Sequence, residues 1–79
     1  MAKAYVLLKV VPGYERNILK ELEGIPEIED VSELYGEWDM IAKASVERLE
    51  DLDALLSEKM RKIGGVTLTS TMIVAEYKY

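Results

Sequence analysis

One short stretch near the middle of the chain, Tyr35 to Lys43, constrains the fold more than any other. It joins two segments of strand-like composition through a link of only three positions, Gly36 to Trp38. The simplest arrangement of two strands joined this closely is an antiparallel hairpin. Gly36 is suited to a positive φ or to a close approach by a ligand, and Asp39 places a carboxylate where the next strand begins. An ordinary β-turn would use the same residues for geometry and packing alone.

The half of the chain before this turn has the pattern strand, helix, strand. The first strand alternates apolar residues and ends at a Pro-Gly turn signal, and the helix shows apolar residues at i, i+1 and i+4 before a Gly breaker. A cluster of acids marks the second strand as an exposed start or edge. The predicted bounds are Lys3 to Val11, Tyr14 to Glu23 and Ile28 to Tyr35.

The half after the turn repeats the same order. Its helix has the clearest period in the sequence, with acids at its beginning, Lys and Arg at its end and Gly64-Gly65 after it, as the helix dipole favours. The basic end is explained by helix electrostatics, and the apolar stripe is core. The stripe consists of Leu49, Leu52, Leu55, Leu56, Met60 and Ile63. The predicted bounds are Asp39 to Val46, Glu47 to Ile63 and, for an unusually long last strand, Val66 to Tyr79.

The order β-α-β-β-α-β predicts an α+β fold, a ferredoxin-like sandwich of one four-stranded antiparallel sheet with both helices on one face. Residues 1 to 79 form a single domain in this interpretation. The other face of the sheet is left bare, and a second subunit is expected to pack against it, sheet to sheet. The pattern alone does not fix which face of each strand turns inward. The apolar residues expected to exceed the cover of the helices are Tyr5, Leu7, Ile41, Ile73 and Tyr77.

The small size of the chain also points to oligomerisation. A domain of 79 residues buries only about 60 to 65% of the surface that its unfolded chain exposes. Scaffolds of this size usually add disulfides, a metal or a partner subunit. The sequence has no Cys and no His, so no metal site and no cofactor is expected, and a partner subunit remains.

Charge and hydropathy exclude several classes of function. With 10 basic and 15 acidic residues the net charge is −5, which opposes direct binding to a phosphate backbone. Basic residues cluster only at Lys59 to Lys62. No apolar run approaches the length of a membrane span and no signal peptide is apparent, so a cytoplasmic protein is expected. A single Asn, no Gln and many Glu and Lys residues suggest a thermophilic source.

Three motifs, taken in order, carry a resemblance to a known family. They are Pro12-Gly13 before the first helix, Gly36-Glu37-Trp38-Asp39 in the hairpin, and Gly65-Val66 followed by Thr69-Ser70-Thr71-Met72-Ile73-Val74. Together they resemble the effector domain of the Lrp/AsnC transcriptional regulators, the RAM (regulation of amino acid metabolism) domain. The resemblance covers essentially the whole chain. Family members that regulate transcription begin with a helix-turn-helix, whereas this sequence starts at the first strand and therefore looks like a stand-alone RAM module.

The resemblance implies a sensor of free amino acids that forms dimers through its sheets and rings, commonly octamers, from those dimers. The ligand would lie in clefts between dimers. Carried over to this sequence, the binding residues are Gly36 and Asp39 in the hairpin and Thr69, Ser70 and Thr71 in the last strand. Asp39 suits the ligand's ammonium, and the hydroxyls and nearby backbone N–H groups suit its carboxylate. Tyr35 and Trp38 are candidates for the walls of the cleft, although interface packing explains them equally well.

Alternative functions on the same fold are less consistent with the sequence. An enzyme of the dimeric ferredoxin-like type needs a proton-transfer group in an enclosed pocket, and no catalytic residue is apparent. An RNA-binding module of the RRM type needs aromatic residues on the third strand and a basic sheet. An ACT-type amino-acid-binding domain shares the fold and ligand class, but the hairpin motif favours the RAM domain.

Two modes of action remain open. In the first, amino-acid binding between dimers favours one assembly state, and the module forms mixed oligomers with a helix-turn-helix relative or buffers the effector. In the second, the module assembles without a ligand, as a scaffold that co-assembles with a full-length regulator.

Overall fold

The computed structural model describes residues 1 to 75, and the predicted continuation of the last strand beyond them lies outside the described residues. Four strands and two helices follow one another in the predicted order β-α-β-β-α-β. The elements are β1 (Ala2–Val10), α1 (Glu15–Glu23), β2 (Ile28–Glu33), β3 (Met40–Val46), α2 (Leu49–Ala54), which continues into a π-helical segment (Leu55–Met60), and β4 (Val66–Ile73).

The four strands form one antiparallel sheet in the order β2-β3-β1-β4. The side chains of β1 and β3 alternate cleanly between its two faces, and one set in each strand is buried beneath the helices. This arrangement confirms the predicted ferredoxin-like α+β fold. The buried sets are Ala4, Val6, Leu8 and Val10 on β1 and Met40, Ala42, Ala44 and Val46 on β3.

Helix α1 contributes Ile18 and Leu22 to the core, both fully buried. They are four residues apart, which places them on one face of the helix. The N–H of Gly24 bonds back to the last turn and ends the helix where the sequence predicted. The first helix is therefore an ordinary amphipathic element, which covers the sheet beside β2.

The second helix differs from its prediction in both its start and its geometry. It begins at Leu49 instead of Glu47, because the Asp51 carboxylate accepts a hydrogen bond of 3.2 Å from the backbone N–H of Arg48. From Leu55 the backbone adopts the wider π turn, and the N–H of Arg61 donates to the carbonyl of Leu56, five residues back. Such segments are rare and break the even period of an α-helix.

The apolar stripe of the second helix is buried with one exception. Leu52 and Ile63, together with the apolar residues of the π-helical segment, lie in the core. Leu49, predicted to belong to the same stripe, is 52% exposed. It lies at the first position of α2 and lines a surface groove with Thr71 and Ile73 of β4.

The face of the sheet opposite the helices, here called the open face, carries a mixed apolar and polar surface. Pairing of Tyr5 with Met72 and of Leu7 with Ile41 places these four side chains on it, as predicted for three of them. Ile73 was expected there, but that prediction is wrong. It pairs with Ala4, whose side chain is buried beneath the helices, so Ile73 lies on the helix face. Tyr77 lies outside the described residues.

A register shift between Lys9 and Val10 changes the pairing of β1 with the start of β4. Val66 pairs with the buried Val10, and Leu68 pairs with Lys9 on the open face. The two β4 residues are an even number apart, so in a regular strand both side chains would lie on the same face. Thr67 is the extra residue, and its hydroxyl donates to the Lys9 carbonyl at 3.1 Å. Such a bulge re-aims side chains at a sheet edge. In the described part of the chain, no helix combines the length and apolar character needed to cross a membrane.

Candidate functional site

The hairpin between β2 and β3 has the geometry that its sequence predicted. The backbone N–H of Leu34 donates to the carbonyl of Asp39 at 2.9 Å and closes the turn. Gly36 has a φ of 131°, which side-chain-bearing residues rarely adopt. Tyr35 projects entirely into solvent. The turn thus presents an exposed aromatic side chain beside a backbone that a ligand can approach closely.

Asp39 is tied to the central strand β1 by two hydrogen bonds. Its backbone N–H donates to the carbonyl of Leu8, and its Oδ2 accepts from the backbone N–H of Val10, both at 2.9 Å. The carboxylate is partly buried and satisfies a donor at the point where the register of β1 shifts. Asp39 therefore has a structural role, and any ligand ammonium would share the carboxylate with strand β1.

Trp38 lies half-buried beside the same strand. The Nζ atom of Lys9 is 5.9 Å from the centroid of the indole ring, near the outer limit of a cation–π contact. Trp38 is thus partly shielded from solvent, whereas Tyr35 is fully exposed. The two aromatic residues proposed as cleft walls are placed differently, with Lys9 near the ring of Trp38.

The hydroxyl residues of β4 divide between the two faces of the sheet. Thr69 and Thr71 pair with Leu8 and Val6 and lie on the helix face, whereas Ser70 pairs with Leu7 on the open face. The Oγ1 atom of Thr69 accepts a hydrogen bond of 3.3 Å from Nε of Arg61. The three hydroxyls predicted as one set of donors therefore belong to two different surfaces.

The hairpin and the hydroxyl segment lie at the same end of the sheet. Leu8 of β1 pairs with Met40, the first residue of β3, on one side and with Thr69 on the other. Strand spacing then separates β3 from β4 by roughly 10 Å. The two predicted halves of the site are brought to one end of the molecule but do not close around a single pocket within one chain.

Sequence reasoning missed one residue of this region. Arg61 was assigned only to helix electrostatics, yet its side chain reaches Thr69 and lines a groove with it. The available signal was the short Gly64-Gly65 link, which brings the end of the helix next to the start of β4. No cluster of three or more metal-ligating side chains occurs among residues 1 to 75.

One ion pair fixes the helix layer at the opposite end of the sheet. Nζ of Lys59 contacts Oε1 of Glu27 at 3.0 Å. This hydrogen bond holds the pKa of Glu27 below its ordinary value of 4.5. Both side chains remain over one third exposed, so the pair orients the π-helical segment against the start of β2 without being buried.

The fold defines a small α+β module of the ferredoxin-like type. The family model for the Lrp/AsnC ligand binding domain matches residues 3–78, and the chain belongs to that family. The resemblance read from the sequence is thereby confirmed. The family and its relatives are transcriptional regulators and not enzymes, as the sequence predicted, and the chain is a regulatory module.

Relatives with similar sequences come from species of Pyrococcus. The HTH-type transcriptional regulator FL11 of Pyrococcus furiosus is 37% identical over 71 residues, which cover 90% of this chain and 46% of FL11. An uncharacterized HTH-type transcriptional regulator of Pyrococcus abyssi is 29% identical over 75 residues, covering 95% of this chain and 48% of that protein. The chain thus spans about half the length of these HTH-type regulators.

Solved structures superimpose closely on the chain. The crystal structure of FFRP-DM1 has a TM-score of 0.91 and 37% identity, covering 95% of this chain and all of that chain. The hypothetical protein PHS023 of Pyrococcus horikoshii has a TM-score of 0.90 and 36% identity, covering 98% of this chain and 93% of that one. Escherichia coli AsnC shares the fold at 18% identity and a TM-score of 0.91, with 99% of this chain and 53% of AsnC covered.

Proposed function

We propose that the chain is an amino-acid-binding effector module that assembles through its open face and binds free amino acids between dimers. The observation that carries this proposal is the placement of the hairpin and the β4 hydroxyls at one end of the sheet, on either side of β1. Because the two segments do not meet within one chain, a second copy is needed to complete a cleft. Transcription would be modulated through partner regulators that carry a helix-turn-helix.

The open face is suited to self-association. It presents apolar side chains over its middle strands and on β4, and Leu68 and Met72 are each more than half exposed. Contiguous apolar surface of this kind marks an interaction site on a small domain. Packing two such faces together gives the dimer, and association of dimers into a ring of octamer type would then bring hairpins and β4 strands of different copies together.

The ligand class is supported by the chemistry of the two segments and by one structural neighbour. Asp39 offers a carboxylate for an ammonium, and Thr69 and Thr71 offer hydroxyl donors for a carboxylate. A transcriptional regulator of Neisseria meningitidis, which shares the fold at 14% identity and a TM-score of 0.88, was solved as a complex with L-Met. We extend amino-acid binding to this chain on that combined basis, and propose a cytoplasmic location because the relatives act on transcription.

The proposal is tested by titrating the protein with each of the twenty amino acids while following the fluorescence of Trp38. The informative variant is Asp39→Asn, because the amide oxygen can still accept the Val10 N–H while the negative charge is lost. Saturable signals that disappear in this variant support a sensor. Glu37→Gln removes a neighbouring exposed charge in the same hairpin and should leave binding unchanged. A protein that stays monomeric and binds no amino acid at millimolar concentration contradicts the proposal.

A second candidate, a scaffold that assembles without ligand, is favoured by one specific contact. The Asp39 carboxylate already satisfies the Val10 N–H, so the hairpin motif has a structural use without a ligand. In that case sedimentation would show the same stable oligomer with and without amino acids, and Asp39→Asn would change neither signal nor assembly.

A further inference from the structure

A groove runs along the outer edge of β4, where the π-helical segment ends. Arg61 forms one wall and the start of β4 forms the other, enclosing about 350 Å³. This volume lies at the lower end of the range for small-molecule sites. The β4 residues that line the groove are Val66, Thr67, Leu68 and Thr69.

The hydrogen bonds at this groove leave it rich in donors. A guanidinium can only donate, so in the contact between Nε of Arg61 and Oγ1 of Thr69, at 3.3 Å, the hydroxyl is the acceptor. The Thr69 hydroxyl proton therefore remains for another partner. The Thr67 hydroxyl already donates to the Lys9 carbonyl. Thr69 and the two terminal nitrogens of Arg61 thus all offer N–H or O–H groups to whatever enters the groove.

The positive charge of Arg61 also lacks an acidic neighbour within residues 1 to 75. There, Lys3, Arg48 and Lys59 each have a carboxylate oxygen within 4.0 Å, whereas Arg61, like the other basic residues of that range, has none. The protein as a whole carries a net charge of −5, so acids are plentiful elsewhere on its surface. An arginine held by a threonine but not neutralised by a carboxylate is suited to an incoming anion.

The edge position of β4 adds backbone donors. Among residues 1 to 75, β4 is paired on one side only, with β1, so alternate N–H groups of the strand point away from the sheet. A planar carboxylate matches the fork of a guanidinium through two parallel hydrogen bonds. Arg61, the Thr69 hydroxyl and the edge of β4 together form a cradle with the donor pattern that a carboxylate requires.

We propose that this groove is a carboxylate subsite, with Arg61 as its specificity-determining residue. Two sources of the same chemistry are available: the side-chain carboxylate of an acidic amino acid and the α-carboxylate shared by all amino acids. The identity of the ligand as an amino acid rests on the proposed function, whereas the preference of the groove for a carboxylate does not. The two sources are separated by experiment.

The test is calorimetric titration at constant ionic strength with L-glutamate, L-glutamine and glutarate, which has no amino group. Binding that depends on Arg61 should weaken roughly tenfold to a hundredfold in Arg61→Gln, the usual size of a charge-assisted pair. Glutamate and glutarate binding far more tightly than glutamine assigns the groove to the side-chain carboxylate. Equal binding of glutamate and glutamine, both weakened by the substitution, assigns it to the α-carboxylate.

Two further variants make the result specific. Arg61→Lys keeps the charge but not the fork and should retain only part of the affinity. Arg48→Gln removes another exposed arginine, one that is paired with Glu50, and should leave binding unchanged. Affinities that are the same in Arg61→Gln and the unaltered protein for all three ligands overturn the proposal.

Failure of this proposal is distinguishable from failure of the proposed function. If Trp38 still reports neutral amino acids through Asp39 while Arg61→Gln changes no affinity, the sensor stands and the carboxylate subsite falls. If glutarate binds in an Arg61-dependent way while no amino acid binds, the subsite stands and the amino-acid sensor falls.

Discussion

The two edge strands of the sheet, β2 and β4, have opposite surfaces. Three of the six residues of β2 are acids, and a register shift between Ile28 and Asp30 distorts its pairing with β3. The eight residues of β4 carry no charge and include exposed Leu68, Met72 and Ile73. Charges and bulges are the usual means of keeping an edge strand from pairing with another chain.

The two halves of the chain share the order β-α-β, but their edge strands differ in surface chemistry. The β2 edge is protected by its charges and by the register shift in its pairing. The β4 edge is uncharged along its whole length, borders the groove at Arg61 and continues onto the open face. Under the proposed function, contacts with other copies are therefore expected at β4 and not at β2.

The two edge strands are also attached to the helix layer in different ways. The largest expected effect on stability is at the attachment of β4. Gly65, just before β4, has a φ of 98°, and a Cβ there would lie 2.6 Å from the Cβ of Tyr14. Gly65→Ala should therefore lower the free energy of unfolding by roughly 3 kcal/mol, through backbone strain and overpacking. The measurement is urea denaturation at fixed protein concentration, because assembly raises apparent stability.

The neighbouring glycine provides the control for this prediction. A Cβ at Gly64 would meet no atom within 4 Å, so Gly64→Ala should change stability by about 0.5 kcal/mol or less. Equal destabilisation by the two substitutions would show that the link is flexible and that the close packing at Gly65 does not anchor β4.

A charge placed on β4 should disrupt assembly, and the same charge on β2 should not. Met72→Lys puts an ammonium on the open face beside Tyr5 and should weaken dimerisation roughly 30-fold or more, the effect of losing an interface hot spot. Ser32→Lys adds the same charge to the same face on β2 and should change the dissociation constant less than about threefold. Analytical ultracentrifugation over a dilution series measures both, and equal effects would remove the distinction between the edges.

The smallest effect is expected where β2 is held, at Glu27. Its pKa is lowered by the hydrogen bond from Lys59, so the pair stabilises the fold above the ordinary carboxyl pKa and loses that contribution as pH falls through the lowered value. Because the pair is exposed, Glu27→Gln should cost at most about 1 kcal/mol at neutral pH.

Denaturation curves at neutral pH and at about pH 3 test this assignment. The difference between Glu27→Gln and the unaltered protein should shrink toward zero in acid. Glu23→Gln, which removes an exposed acid at the end of α1, should show no such pH dependence. A cost at Glu27 that is independent of pH would mean that shape, and not charge, holds the start of β2.

The fold was predictable because period and turn signals agreed along the whole chain. The alternation of apolar residues identified β1 and β3 as strands, each with one buried set of side chains. The spacing of Ile18 and Leu22 identified the first helix and its buried face. Ile73 was misplaced because alternation along an edge strand defines two faces without saying which one turns inward. That choice depends on register with β1, and the bulge at Thr67 is set by pairing across 58 residues of sequence.

The candidate site was predictable only in part, for a related reason. The positive φ of Gly36 follows from the hairpin and could be anticipated. The contact of Asp39 with Val10 and that of Arg61 with Thr69 depend on where three strands and a helix end relative to one another. The π-helical segment, which sets the direction of Arg61, has no distinct residue pattern, because an apolar stripe with mixed i+4 and i+5 spacing also fits an α-helix.

Two consecutive amides, that of Val10 at the end of β1 and that of Val11 just after it, give the molecule a built-in reporter. The N–H of Val10 donates to the Asp39 side chain, at the start of β3, and that of Val11 donates to the carbonyl of Gly65, just before β4. Hydrogen exchange at Val10 therefore measures opening of the hairpin, and exchange at Val11 measures fraying of the start of β4. A ligand that competes for Asp39 would accelerate exchange at Val10. A joint change in exchange at Val10 and Val11 would show that the hairpin and the start of β4 open together.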